Sequence, residues 1–370
     1  MKRLLCVISC MNAGGAESFL MKLYRSLDRT IFQFDFAVNI KEEGFYDKEI
    51  YSLGGKIHRF PSKSESFWGY IKGLKKIIQE NQYDYVLRVT SNGMGFLDLA
   101  IAKMAGAKVC VARSSNSSDG GGVKAILAHW IGKTLFKRFV DVKIAPSSEA
   151  AIYTFGKRDY NRGLVHILHN GLDLNYYSYT EKGRTMVRNE FGFTPNQTVL
   201  GHVGRFSAQK NHSFLLKIFQ HYHNSNPDSV LMLVGNGELK DEIQKKIQEK
   251  GLEKSVVFAG IRSDMPSIYS AMDVFVFPSL YEGMPNAVIE AQACGLPCVV
   301  SDAVTRESNV SDNVEYVSLT TSLQKWMDAI SAMIGKIRIK TTEKLKKEGY
   351  DINNTVKKIE SIFFCNPKEQ

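Results

Sequence analysis

Residues 277–291 read Phe277-Pro278-Ser279-Leu280-Tyr281-Glu282-Gly283-Met284-Pro285-Asn286-Ala287-Val288-Ile289-Glu290-Ala291. An apolar run ends at Phe277, a Gly/Pro loop follows, and a helical pattern opens at Pro285, whose missing N–H costs nothing in a first turn. Unpaired N–H groups and the helix dipole at such an end attract an anion such as phosphate. Glu282 falls on the loop and Glu290 inside the helix, with seven residues between them. Gly295 and Pro297 then end that helix. A surface loop position for Glu282 and a solvated helix position for Glu290 remain the plain alternative.

The same strand–loop–helix grammar recurs upstream. Val199-Leu200-Gly201-His202-Val203-Gly204-Arg205-Phe206 is a strand ending in Gly-Arg, with Lys210 five residues later. Gly204 allows close approach to a ligand, and Arg205 with Lys210 can neutralise two phosphates. A solvated turn would explain the same letters. His202 lies inside the strand and reads as a core or wall residue rather than a base. Gly235 and Gly237 in Val234-Gly235-Asn236-Gly237-Glu238 again follow a strand. Near the start, Asn12-Ala13-Gly14-Gly15-Ala16-Glu17-Ser18 joins the first strand to its helix without the three-glycine dinucleotide spacing.

Expected strands are Leu4–Ser9, Phe34–Asn39, Lys56–Arg59, Tyr85–Val89, Lys108–Ala112, Val142–Ala145, Val165–Leu168, Thr198–Val203, Ser229–Val234, Val256–Phe258, Val274–Phe277 and Cys298–Ser301. They alternate with amphipathic helical stretches, among them Ala16–Leu27, Trp68–Asn81, Val123–Arg138, Asn211–Asn224 and Asn286–Ala293. Continuous apolar strands alternating with helices are the mark of parallel sheets covered on both faces. Two such series predict two doubly wound α/β domains, with ligands beyond the carboxyl ends of the strands. The polar stretch 172–197 is expected to hold the linker. The domains are placed at 1–172 and 173–345, with a helical tail, 346–370, returning to the first domain.

At 370 residues, 44% apolar and 23% charged, the composition is globular, not disordered, collagenous or coiled-coil. No apolar run reaches the ~18 residues that span a bilayer. Six cysteines without a C-x-x-C pair read as reduced thiols in a cytoplasm. The net charge of +10 is uneven: residues 1–170 hold 25 Lys/Arg against 15 Asp/Glu, and the remainder is balanced at 23 each. Such an excess points to an anionic partner, although a solubilising surface would show it too. Without finger spacing, an RNP-like motif or a long basic block, nucleic acid is excluded. Val123–Arg138 interleaves Trp130, Ile131, Leu135 and Phe136 with Lys124, Lys133, Lys137 and Arg138, the pattern of a helix lying on an anionic membrane surface or of a core helix with a basic edge.

Gly204-Arg205 with Lys210, Phe258-Ala259-Gly260, and Glu282-x7-Glu290 together resemble the retaining nucleotide-sugar glycosyltransferases of the GT-B fold, specifically glycosyltransferase family 4. Val288–Asp302 resembles the exopolysaccharide and capsule branch. The likeness is dense over about residues 198–302 and looser, through Gly14-Gly15 and Asn170-Gly171, in the first half. It implies two Rossmann-like domains facing across a cleft. Arg205 and Lys210 would hold the donor diphosphate, Glu290 the ribose hydroxyls and Glu282 the transferred sugar. Backbone at Gly283, Met284, Pro285 and Asn286 would cradle the distal phosphate and sugar, with Gly204 and Gly235 lining the donor site. Gly260-Ile261-Arg262 would lie against the base, expected to be uracil, and Gly15 would place an N–H near the donor phosphates and the acceptor. The implied donor is a UDP-sugar. No D-x-D occurs, so no metal and no cofactor is expected, Arg205 and Lys210 taking that role.

The family often carries a histidine after the strand ending near Ala112. Here the chain reads Val111-Ala112-Arg113-Ser114-Ser115-Asn116-Ser117-Ser118. Ser115 or Asn116, with Gly14, is the substitute expected on the acceptor side. The implied acceptor is a glycan, or a polyprenyl-diphosphate-linked sugar reached from the cytoplasm at the inner membrane face. The competing readings are a protein of the same fold that binds nucleotide-sugar or glycan without transfer, and a two-domain epimerase, which the Glu-x7-Glu context disfavours.

Overall fold

The computed structural model describes residues 2–12, 14–115 and 123–364. The chain divides into two units: 1–171 with 349–370, and 172–348. In the first, seven parallel strands, β1 (Lys2–Val7), β2 (Phe32–Val38), β3 (Ile57–Arg59), β4 (Tyr85–Thr90), β5 (Val109–Ser114), β6 (Val142–Ala145) and β7 (His166–Ile167), stand in the order β3-β2-β1-β4-β5-β6-β7. In the second, β8 (Thr198–Val203), β9 (Ser229–Val234), β10 (Val256–Gly260), β11 (Val274–Phe277), β12 (Cys298–Ser301) and β13 (Val314–Val317) stand as β10-β9-β8-β11-β12-β13. All pairings are parallel. The order reverses between β1 and β4 in one sheet and between β8 and β11 in the other. Those switch points are where a doubly wound sheet opens a crevice at its strand ends.

Each sheet is apolar on both faces, which is why its strands read as continuous runs. Leu4, Cys6, Phe34 and Phe36 face one core of the first unit, and Leu5, Val7, Val86 and Cys110 face the other. The final helix, Ile352–Phe364, belongs to the first unit: Ile352, Val356, Ile359 and Phe363 join the core beneath the Gly15–Ser26 helix. Gly171 marks where the chain leaves that unit. A Cβ there would fall 2.4 Å from Thr355 Oγ1 and 2.8 Å from the Ile352 Cα, so only glycine fits.

The stretch 172–197, expected to hold the linker, instead contains a helix, Glu181–Glu190, inside the second unit. It lacks an apolar stripe and is tied by charge. Arg184 and Arg188 donate to the carbonyls of Ser270 and Ala271 and share the Asp273 carboxylate at 2.8 and 3.3 Å. Two further elements lie outside the expected set: β13 and the helix Leu323–Met333, which seats Trp326 in the second core.

Candidate functional site

The site begins where β8 and β11 end, side by side at the second unit's switch point. Past β8 the chain runs Gly204-Arg205-Phe206, makes a 3-10 turn at Ala208–Lys210, and enters the His212–Ser225 helix through Asn211, which is left-handed at φ 56°. Past β11 it runs through residues 278–285 into the Asn286–Ala293 helix. The two loops are sewn together. Leu280 N donates to Gln209 O at 2.9 Å, Gln209 Nε2 donates to Tyr281 O at 2.8 Å, and Asn211 Nδ2 donates to Pro278 O at 3.2 Å.

That stitching brings Lys210 to Glu282. The ammonium donates to Glu282 Oε1 at 2.5 Å and sits 4.7 Å above the Phe277 ring, with Glu282 only 8% exposed. An ion pair this sheltered is bound by geometry more than by screened surface attraction. Beneath it lie two histidines. His202 donates to Val276 O through Nδ1–H at 2.9 Å and stacks on Phe277, while His212 meets it edge-on at 4.8 Å between ring centres. Burial, reinforced by the Lys210 charge, holds His212 down at about 4; burial also holds His202 well below its ordinary value. Both are therefore neutral at pH 7, so the base of the site adds no charge of its own.

The glycines explain the loop spacing. Gly235 has φ +132°, and a Cβ on it would fall 2.1 Å from Gly204 O. A Cβ on Gly237 would strike Phe206 O at 2.5 Å. The β9 loop thus presses directly on the Gly204–Phe206 backbone and delivers Glu238, which accepts from Arg205 Nε at 3.0 Å. Arg205 itself projects outward, with its side chain 70% exposed.

Glu290 is buried, not solvated. Tyr269 donates to its Oε2 at 3.0 Å, and Tyr177 lies in the same environment; burial, with the Glu290 charge next, raises both phenols well above their ordinary value. Neither tyrosine stands out in the sequence: Tyr269 sits in a helical stretch, and Tyr177 in the polar stretch 172–197 expected to hold the linker. Gly283, Met284 and Pro285 are buried at the mouth of the following helix, whose N-cap Pro285 makes no side-chain cap, while Asn286 and Ala287 are half-buried. Ile261 is 46% exposed on the loop after β10. Its neighbour Arg262 is gripped by Glu190 at 2.6 and 2.9 Å and by Asp264 at 2.8 and 2.9 Å, which raises the guanidinium above its usual value.

Gly14, Gly15 and Ser115 belong to the first unit. Gly14 is the N-cap of the Gly15–Ser26 helix and makes no side-chain cap. Ser115 follows β5, its N–H donating to Thr90 O at 2.9 Å. Asn116 lies outside the described residues. Of the basic edge expected along Val123–Arg138, Lys133 and Lys137 are drawn onto neighbouring backbone while Arg138 is exposed. Lys133 donates to Tyr153 O, and Lys137 donates to Phe155 O and pairs with Asp159 at 2.9 Å. The exposed face of the helix carries Val123, Ile126, Leu127, Trp130, Ile131 and Leu135. Among the described residues, no helix is long and apolar enough to cross a membrane.

A family model described as "Glycosyl transferases group 1" matches residues 197–336. The chain is 34% identical to the "Putative glycosyltransferase EpsF" of Bacillus subtilis (strain 168), over 98% of this chain and 96% of that one. It is 38% identical over 141 residues, 37% of this chain and 36% of the other, to the Escherichia coli "UDP-Gal:alpha-D-GlcNAc-diphosphoundecaprenol alpha-1,3-galactosyltransferase". In three dimensions it resembles Anabaena Alr3699/HepE, solved in complex with UDP-glucose, with TM-score 0.78, 18% identity, and 99% and 100% of the two chains covered.

Proposed function

The chain belongs to the group 1 glycosyl transferases, is a glycosyltransferase with the family-4-like GT-B fold, and on that premise we propose that it moves a sugar from a UDP-sugar to a glycan or polyprenyl-diphosphate-linked acceptor in exopolysaccharide or capsule synthesis. The observation that carries this reading is the Lys210–Glu282 pair held over Phe277 at the β8/β11 switch point. A donor diphosphate entering there takes the ammonium, and Glu282 is released to accept from hydroxyls of the transferred sugar. Arg205 supplies a second cation from the exposed rim. Negative charge grows on the departing diphosphate, and preorganised cations stabilise it in place of a divalent ion. Glu290, fixed by Tyr269, offers its carboxylate to the ribose. Transfer with retention then proceeds by attack of an acceptor hydroxyl on the face from which the diphosphate departs, its proton passing to the departing phosphate oxygen, with no protein nucleophile. Support for the acceptor class comes from the names of the Bacillus and Escherichia relatives and from the cationic first half.

Thermal unfolding with UDP, GDP or ADP, each with EDTA, tests the donor on wild type and Glu290→Ala. Ligand at 100 times its Kd adds about 2.7 kcal/mol, a rise of several degrees. A shift with UDP alone, lost in Glu290→Ala, is expected. A shift with another nucleotide replaces the donor, and no shift in any arm removes the donor site. UDP release without acceptor separates a transferase from a protein that only binds. For the membrane, the apolar face of the Val123–Phe136 helix predicts sedimentation with vesicles of anionic lipid that Trp130→Ser and Leu127→Ser abolish; equal recovery of the variant sinks that part.

A further inference from the structure

The first unit has a switch point of its own between β1 and β4, and at its edge lies a charge with nothing to balance it. Arg113 is the penultimate residue of β5, opposite Val89 of β4 and Ile144 of β6. It is 1% exposed. Its guanidinium lies 3.6 Å above the Phe19 ring of the Gly15–Ser26 helix. Nη2 donates to Asn170 Oδ1, Nη1 donates to Ser114 O at 3.3 Å, and Nε has no partner.

Other arginines in the molecule show what is missing. Arg3 uses the same Nε/Nη2 edge to grip Asp35 at 2.6 and 2.5 Å. Arg188, also buried, has Asp273. No carboxylate pairs with Arg113 among the described residues, and its only acceptors are neutral. Desolvation alone drags its guanidinium down to about 9, so it remains charged at neutral pH. The 25-to-15 cation excess of residues 1–170 gives no relief from longer range. A buried, unbalanced guanidinium is costly, and it is tolerated where an incoming anion completes it. The Nε/Nη2 fork fits the two oxygens of a carboxylate or phosphate.

We propose that Arg113 is the receptor for an oxyanion, a carboxylate or a phosphate, carried by the substrate that occupies the β1/β4 crevice of the first unit. The proposal rests on reading that unit as the acceptor side of a glycosyltransferase. On binding, the anion takes the Nε–H and Nη2–H donors and Asn170 gives up its place. The acceptor of this chain is thereby an acidic sugar or a sugar phosphate, not a neutral glycan.

The test is calorimetric titration and thermal unfolding of the full chain at constant ionic strength. The probes are inorganic phosphate, methyl β-D-glucuronide and, as the neutral control, methyl β-D-glucoside. Saturable binding of at least one anion and none of the glucoside is expected. Phosphate alone points to a phosphate-bearing acceptor, the glucuronide alone to an acidic sugar. Arg113→Met weakens the anion roughly tenfold or more, as loss of a charged hydrogen bond in a desolvated site requires. In probe-free buffer that variant unfolds no lower than wild type. Asn170→Asp, which supplies a counter-ion, raises the unfolding temperature and abolishes anion binding, so the question stays answerable even where Arg113→Met folds poorly. Anion binding unchanged in Arg113→Met or in Asn170→Asp overturns the proposal. So does a wild type that binds neither anion. UDP binding, measured alongside, stays at wild-type strength in both variants; its absence from wild type would undo the donor assignment, while the anion arms still report on Arg113.

Discussion

The two switch points of this molecule hold their charges in opposite ways. In the second unit's candidate site the cations come in couples: Lys210 with Glu282, Arg205 with Glu238, Arg262 with Glu190 and Asp264. Near β1/β4, Arg113 is as deeply buried as any of them and has only carbonyl oxygens. A coupled site is stable empty and must exchange a partner to take its ligand. An unbalanced one is strained empty and gains its missing partner from the ligand. On the proposed reading, the second unit binds and releases an anionic donor and the first prefers a substrate that brings charge.

The sharpest way to break the comparison is at Lys210. Lys210→Met is expected to slow sugar transfer up to about a thousandfold, the scale seen when one preorganised donor to a developing charge is removed. Turnover within tenfold of wild type would mean that the couple is structural. Stability sharpens the same point. Lys210→Met leaves a buried carboxylate alone and costs about 3 kcal/mol in denaturant unfolding, whereas Lys210→Met with Glu282→Gln recovers most of it. Additive losses would show that the two side chains do not act together.

A smaller effect comes from the neutral floor of the site. The folded state holds His212 down at about 4, while in the unfolded chain it titrates near 6.5. As pH falls, the unfolded chain takes the proton first, so this contribution is whole above about 6.5 and is lost on the way to about 4. The difference between wild type and His212→Gln should therefore shrink by about 2 kcal/mol across that window, with His202 acting in the same direction in both proteins. A flat difference would place His212 in contact with water. Smallest of all, Arg205→Ala should alter stability by less than about 0.5 kcal/mol, since its pair with Glu238 is exposed, while still weakening UDP.

Much of the fold was legible because parallel strands covered on both faces spell themselves out: Val274–Phe277 and Cys298–Ser301 have the bounds their apolar letters predict. The Glu181–Glu190 helix was illegible for the complementary reason. Its anchors are Arg184 and Arg188, which look solvated in sequence and find Asp273 and helix-end carbonyls only in three dimensions. The loop residues Arg205, Lys210 and Glu282 could be named because, together with Glu290, they carry the resemblance to the glycosyltransferase family; by themselves a solvated turn and a surface loop explain the same letters. That Lys210 meets Glu282 could not, because the contact depends on Gln209 and Asn211 stitching loops some 70 residues apart. Arg113 was quoted only as part of a segment lacking a histidine. Nothing in its neighbours announces a cation without an acid, since an absent partner leaves no letter.

The central claim is that the β8/β11 couple receives the diphosphate of a uridine nucleotide. Calorimetric titration of UDP and of uridine into wild type, Lys210→Met with Glu282→Gln, and Arg113→Met tests it most directly. The account predicts that the double variant loses affinity for UDP by tenfold or more and keeps its affinity for uridine, and that Arg113→Met binds both as wild type does. Equal loss of UDP and uridine in the double variant, or UDP binding that follows Arg113 instead, would contradict it.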